Sequence, residues 1–227
     1  VAWLVILAWL VTKVKFFTRT GLSKPQLIII FLLKVMAGIF YGWIGLYYGG
    51  LAQMQDTWSY HTNSVQEYHL LFSDPKEYFT NLFHDPYDDG FQKFFPTINS
   101  YWNDLKGNLF IKVLSVINLF SFGESYYVNV IFYSFITLFG AIAIYRVMVD
   151  VFPDRKVLIL LATFLVPSFL YWTSGIHKEG LIFTGISTIV YCLYFGFKEN
   201  RMGIKRIICL VLGLLLILAL RNFLIVL

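Results

Sequence analysis

The sequence predicts an all-α, polytopic transmembrane bundle whose first loop is long, acidic and extracytoplasmic and carries amphipathic, interfacial helices. Three observations carry that prediction. Charged residues fill only 14% of the 227 positions, against roughly one quarter in soluble domains. Apolar residues, 58% of the chain, come in blocks of about the 20 residues that a helix needs to cross hydrocarbon. Lysine and arginine collect in every second connection between those blocks, as their resistance to translocation requires.

The blocks, in order, are 1–12 (the tail of a helix), 25–49, 126–149, 156–174, 179–197 and 207–227, with a shorter one at 109–122. Lys13, Lys15, Arg19 and Lys24 separate the first two. Arg146, Arg155 and Lys156 separate 126–149 from 156–174, and Lys198, Arg201, Lys205 and Arg206 precede the last block. These three loops are expected in the cytoplasm. Alternation then puts 50–125 and 174–179 on the opposite side. The long loop holds Asp56, Glu67, Asp74, Glu77, Asp85, Asp88, Asp89, Asp104 and Glu124 against Lys76, Lys93, Lys106 and Lys112.

The parity holds only if 109–122 does not cross. That block is short, is interrupted by Lys112 and Asn118, and ends in Ser121-Phe122-Gly123. A helix lying in the interface, or dipping in and returning, suits it better than a span. All four histidines, His61, His69, His84 and His177, fall on the acidic side. No repeat or second domain is evident, so 1–227 reads as a single transmembrane domain with 50–125 as its outer loop. The chain opens on Val1 and runs apolar to Leu227, so a piece of a longer protein is expected. The first block lacks the basic start and small-residue cleavage site of a signal peptide.

Several classes are disfavoured. The net charge is +5, but its cations sit in short loops, which speaks for membrane orientation and against nucleic acid. Cys192 and Cys209 lie in or beside apolar blocks near a basic loop and read as free thiols. No HExxH or Cys/His spacing suggests zinc, and no GxGxxG, Walker or GxSxG pattern suggests a soluble nucleotide or hydrolase site. The Asp85-Pro86-Tyr87-Asp88-Asp89-Gly90 run leaves a divalent cation open as a cofactor, although it lacks the spacing of a calcium loop and also reads as a solvated turn.

Three constellations offer chemistry. Asp56 and Tyr60 stand four apart just after a helix exit at Gly49-Gly50, on one face if helical. Asp56 there is either a general base toward an acceptor or a helix N-cap. The stretch from Pro167 to Glu179 turns between two blocks. His177, Lys178 and Glu179 open the second of them, either as an anion site at a helix start or as an ordinary polar hairpin. Arg221 sits among Leu218, Leu220, Phe223 and Leu224. A membrane arginine asks for a partner, either a lipid phosphate or an outer-loop acid, or else it snorkels to the headgroups. Lys34, the other membrane cation, is expected to snorkel to the cytoplasmic face.

An Asp-xxx-Tyr pair placed after an inside-to-outside helix and followed by an amphipathic stretch resembles the GT-C glycosyltransferases. These membrane enzymes use polyprenyl-phosphate-linked sugars and include protein mannosyltransferase and aminoarabinose transferase branches. The segment Pro167-Ser168-Phe169-Leu170-Tyr171-Trp172-Thr173-Ser174-Gly175-Ile176-His177-Lys178-Glu179 is similar to one in uncharacterised bacterial members, and the likeness runs from about residue 25 to the end.

The resemblance implies a bacterial inner-membrane enzyme of the cell envelope, active on its extracytoplasmic side, with a polyprenyl-phosphate sugar as donor. It implies inverting hexosyl or pentosyl transfer with Asp56 as catalytic base. Tyr60, His177, Lys178, Glu179 and Arg221 are the candidate substrate-binding residues. Lys178 and Arg221, chosen by location and charge, would stabilise the departing phosphate. The chain departs from the family in its later outer loop, where Glu179 is the only acid. A polysaccharide polymerase or ligase is the alternative and makes an arginine and a histidine matter more than Asp56. A transporter calls for broken or polar helices at mid-membrane, whereas the polar residues here sit mainly at the outer helix ends, which disfavours transport, and a scaffold leaves the outer carboxylates replaceable.

Overall fold

The computed structural model describes residues 1–48, 56–83, 101–121 and 125–221, and every regular element among them is helical. After α1 (Ala2–Val11) and the single turn α2 (Lys15–Thr18), α3 (Lys24–Tyr47) starts at a capping box. Gln26 N donates to Ser23 Oγ at 3.4 Å, and Ser23 N donates to Gln26 Oε1 at 2.8 Å, with Pro25 in the first turn. That satisfies backbone donors a helix start otherwise leaves free. The elements α4 (Asp56–Ser73), α5 (Pro75–Thr80) and α6 (Tyr101–Ser121) follow, then α7 (Tyr126–Val151), capped by Ser125. The remainder comprises α8 (Lys156–Phe164), α9 (Pro167–Ser174), α10 (Lys178–Lys198) and α11 (Ile204–Leu220).

Three of these, α3, α7 and α10, are each long and apolar enough to cross a membrane. A fourth crossing is available only if the bent stretch of α8 and α9 is taken as one span. The sequence reads 156–174 as a single block, whereas the chain bends there by 52°. Pro167 supplies no N–H and pushes Val166 out of the helical region, to φ −66° and ψ 114°. The last block is helical through Leu220. Arg221 therefore lies just past a helix end, not within a helix as the sequence suggested, and 222–227 fall outside the described residues.

Helix α10 packs between α7 and α11 through small residues. Gly140 lies against Thr184, and Gly185 and Gly213 each face the other's carbonyl oxygen. Close backbone approach of this kind substitutes for the hydrophobic drive that lipid removes.

One core, formed by Leu7, Val11, Phe17, Leu27, Phe31, Leu138, Ile142 and their neighbours, fills the half toward the basic loops. A second core joins Phe110, Leu114 and Ile117 of α6 to Tyr126, Val130 and Tyr133 of α7, and to Ile176, Leu181 and Leu220. Helix α6 thus packs on the first turns of α7 and the last turn of α11. The two polar residues that interrupt its apolar block point at protein. Lys112 pairs with Glu67, donates to Tyr78 O at 2.5 Å and lies 3.7 Å from the Tyr78 ring centroid. Asn118 donates to Ser64 Oγ at 3.0 Å and accepts from Asn129, whose amide also lies 3.4 Å from His61 Nδ1. These buried amides fasten α4 and α6 to α7.

Lys34 departs from expectation. It does not snorkel: it is 3% exposed, and its ammonium donates to Thr173 O at 2.7 Å, with Thr173 Oγ1 and Ser174 Oγ each at 3.3 Å. A cation among the last carbonyls of α9 complements that helix end, which outcompetes a stretch along the bundle to reach the headgroups. Cys192 and Cys209 are free thiols, the first buried and the second exposed.

Candidate functional site

The six residues singled out in the sequence come from three separate places and meet at one end of the bundle. Asp56 opens α4, and Tyr60 follows one turn later. Residues 177–179 lead from α9 into α10, and Arg221 follows α11. Asp56 Oδ2 lies 3.8 Å from His177 Nε2. The Tyr60 ring is 6.3 Å from the His177 ring, and the Lys178 ammonium lies 5.1 Å from the Tyr60 centroid. Arg221 Nη2 donates to Glu179 Oε1 at 2.6 Å.

The imidazole is oriented from both sides. His177 is the N-cap of α10, and its Nδ1 accepts from Glu179 N at 3.5 Å. An accepting Nδ1 puts the proton of the neutral ring on Nε2, toward Asp56. The Tyr133 hydroxyl donates to the His177 carbonyl oxygen and holds its backbone. Burial pulls the His177 imidazole below its ordinary pKa, with Lys178 and Arg221 acting in the same direction and Glu179 and Asp56 opposing. The ring is therefore neutral at pH 7. Burial first, then the charges of Asp56 and Glu179, pushes the Tyr60 phenol up to about 12, so it too stays protonated and can donate.

Asp56 is half exposed whereas His177 is largely covered, so the carboxylate is the accessible member of the pair. Two carboxylates and two cations leave the cluster without net charge when His177 is neutral. An anion entering it would have to draw Arg221 away from Glu179.

Several residues that build this site carried no functional signal in the sequence. Trp58 Nε1 donates to Gly42 O at 2.8 Å, and its ring stacks on Tyr126 at 4.3 Å. The Tyr126 hydroxyl lies 2.8 Å from Thr57 Oγ1. Together these contacts lock the first turn of α4, and so Asp56, onto α3 and α7. A side chain at Gly42 would collide with the Tyr126 ring, which explains the glycine.

Tyr41 is fully buried, its ring 4.8 Å from Tyr171 and 6.4 Å from His177, and its hydroxyl has no hydrogen-bond partner among the described residues. The Lys34 contacts with Thr173 and Ser174 fix the end of α9, from which the His177 turn departs.

Among the described residues no group of three or more His, Cys, Asp or Glu is arranged to hold a metal ion. The Asp85–Gly90 run, the sequence's candidate for a divalent cation, lies outside the described residues, as does His84. The chain matches no protein-family model, no curated protein and no solved structure.

Proposed function

We propose that this chain is a membrane glycosyltransferase that moves a sugar from a polyprenyl-phosphate carrier to an acceptor at the extracytoplasmic face. The observation that supports it most is the approach of Asp56 Oδ2 to His177 Nε2 at 3.8 Å, with Lys178 and Arg221 in the same cluster. The positive-inside rule would turn the basic loops to the cytoplasm and this cluster outward. A nucleotide sugar has no route there, whereas a lipid carrier delivers its sugar to the interface.

In the reaction, Asp56 takes the proton of an acceptor hydroxyl as its oxygen attacks the anomeric carbon. The bond from that carbon to the phosphate oxygen breaks, and its electron pair leaves with the lipid phosphate. Attack opposite the leaving group inverts the centre. Lys178 and Arg221 supply positive charge where the phosphate gains it. His177 aims its Nε2–H at Asp56 and keeps the carboxylate's other oxygen toward the acceptor.

The test is turnover of a polyprenyl-phosphate sugar by the purified membrane protein. Asp56→Asn is expected to lower turnover by about 10²- to 10⁴-fold, the usual worth of a general base. Equal turnover in both proteins removes Asp56 from the chemistry.

A second reading has its own support. The break before Pro167 and the buried Lys34 are interior features of the kind found in transporters. A carrier would keep its flux in Asp56→Asn and lose it in Lys34→Met, and the same pair of variants separates the two readings.

A further inference from the structure

At the opposite end of the bundle, Arg146 of α7 is held among three aromatic rings. Its guanidinium carbon lies 5.1 Å from the Phe16 centroid, 4.9 Å from Tyr191 and 5.7 Å from Phe195. Arginine favours such faces because its charge is spread over a plane and weakly hydrated. The rings cover the faces of the guanidinium, and its N–H edges meet no carboxylate and no hydrogen-bond acceptor among the described residues. Arg146 is a partly buried cation, braced by rings and with donors to spare.

Those donors line a cavity of about 320 Å³ that also presents Arg19, Thr20 and Lys156. Arg19 comes from the end of α2 and Lys156 from the start of α8, so three cations from three elements share one space. The carboxylate on its wall, Asp150, is already engaged: it accepts from Tyr194 Oη at 2.7 Å and from Lys198 Nζ at 2.5 Å. Asp154 and Arg155 in the adjoining turn are of opposite sign and offset one another. The balance around the cavity is strongly positive. Orientation of the chain needs cations in these loops, but it does not need a guanidinium held among rings and facing a pocket.

Pro153 and Lys156 also line a second, larger cavity of about 520 Å³, bounded by Asp154 and Arg155 at the turn and by Val157, Leu158 and Leu161 along α8. All three are exposed. A cationic chamber therefore opens directly onto an apolar wall.

We infer that this is a binding site for a phosphate group, carried by an anionic phospholipid. Its phosphodiester lies between Arg19, Arg146 and Lys156, and its acyl chain runs along Val157, Leu158 and Leu161. Basic pockets between membrane helices select anionic headgroups by this combination of charge and apolar contact.

The test uses the purified full chain in phosphatidylcholine nanodiscs containing a minority of phosphatidylglycerol, with retained lipid measured by native mass spectrometry. Phosphatidylglycerol is expected to be retained over phosphatidylcholine, and Arg146→Gln to cut that retention by about ten-fold, the worth of one charge-assisted contact. Arg19→Gln, at an exposed position where folding is not at stake, is expected to act in the same direction. A parallel arm adds millimolar inorganic phosphate. Failure to displace the lipid supports the phospholipid, while displacement keeps the phosphate site and overturns the lipid as its carrier. Equal retention by wild type and both variants, or no preference for the anionic lipid, overturns the site. None of these readouts involves sugar transfer, so their failure leaves the transferase proposal standing.

Discussion

Arg221, the first residue past α11, donates to Glu179 in the first turn of α10 at 2.6 Å, joining positions 42 apart in the chain. Both side chains are partly exposed, so the pair contributes about 0.2–1 kcal/mol to stability. Its importance lies in where it holds the guanidinium. Glu179 keeps Arg221 beside Lys178 and competes with any phosphate that arrives.

If the chain is the proposed transferase, two substitutions act in opposite directions on the donor. Arg221→Gln is expected to raise the donor KM about ten-fold, the loss of one charge-assisted contact. Glu179→Gln releases Arg221 and is expected to lower the donor KM. Steady-state kinetics on both variants checks this, and a lower donor KM in Arg221→Gln contradicts the phosphate role.

The stability of the site depends on pH through His177. Its folded-state pKa is depressed, so both states are neutral above the ordinary value of about 6.5 and stability is then at its full level. As pH falls through that value the unfolded chain takes up a proton before the folded one does, and stability declines until the folded pKa is passed. Melting curves between pH 5 and 8 are expected to show this loss on the acid side. His177→Asn is expected to flatten it, and an unchanged pH slope in that variant assigns the effect to another group.

Lys34 separates stability from activity. The ammonium is buried without a carboxylate partner among the described residues, bound only to uncharged oxygens. Removing the cation relieves a buried charge but takes the donor from the Thr173 carbonyl, and the two effects oppose one another. Lys34→Met is expected to melt within a few degrees of wild type or above it, yet to lower sugar transfer about ten-fold or more as the His177 turn loses its anchor. A variant that melts much lower but turns over normally makes Lys34 purely structural.

The amide cluster of α4, α6 and α7 predicts the reverse. Asn118 is fully buried and serves both Ser64 and Asn129. Asn118→Leu removes one hydrogen bond from each, Ser64 keeping His61 O and Asn129 keeping His61 Nδ1, at a cost of about 1 kcal/mol each. Hydrogen exchange is expected to rise first in 101–121, and exchange that rises uniformly along the chain instead rules out a local docking role.

Much of this organisation was legible in the chain. The blocks around 25–49, 126–149 and 179–197 became α3, α7 and α10, because an apolar run of membrane length leaves the backbone few alternatives to a helix. Asp56, Tyr60, His177, Lys178, Glu179 and Arg221 stood out as polar groups at block ends, and they meet in space. Hydropathy did not expose the break before Pro167, since Leu165 and Val166 keep the run apolar through it.

Nor did hydropathy locate the partners of Lys34, Lys112 and Asn118. Lys34 and Thr173 are 139 positions apart, and no local pattern encodes such a pairing. A polar residue in an apolar block reads as a defect until the group it faces is known. Tyr41 and Trp58 read as ordinary aromatics for the same reason.

Helix α3 holds both halves of the site. Its Lys34 grips the end of α9 that leads to His177, and its Gly42 carbonyl receives Trp58, which sets Asp56. The two grips are eight residues apart on one helical rod, about 12 Å. Rocking of that rod carries acid and imidazole along together, so their separation survives movements that would pull apart residues mounted on independent supports.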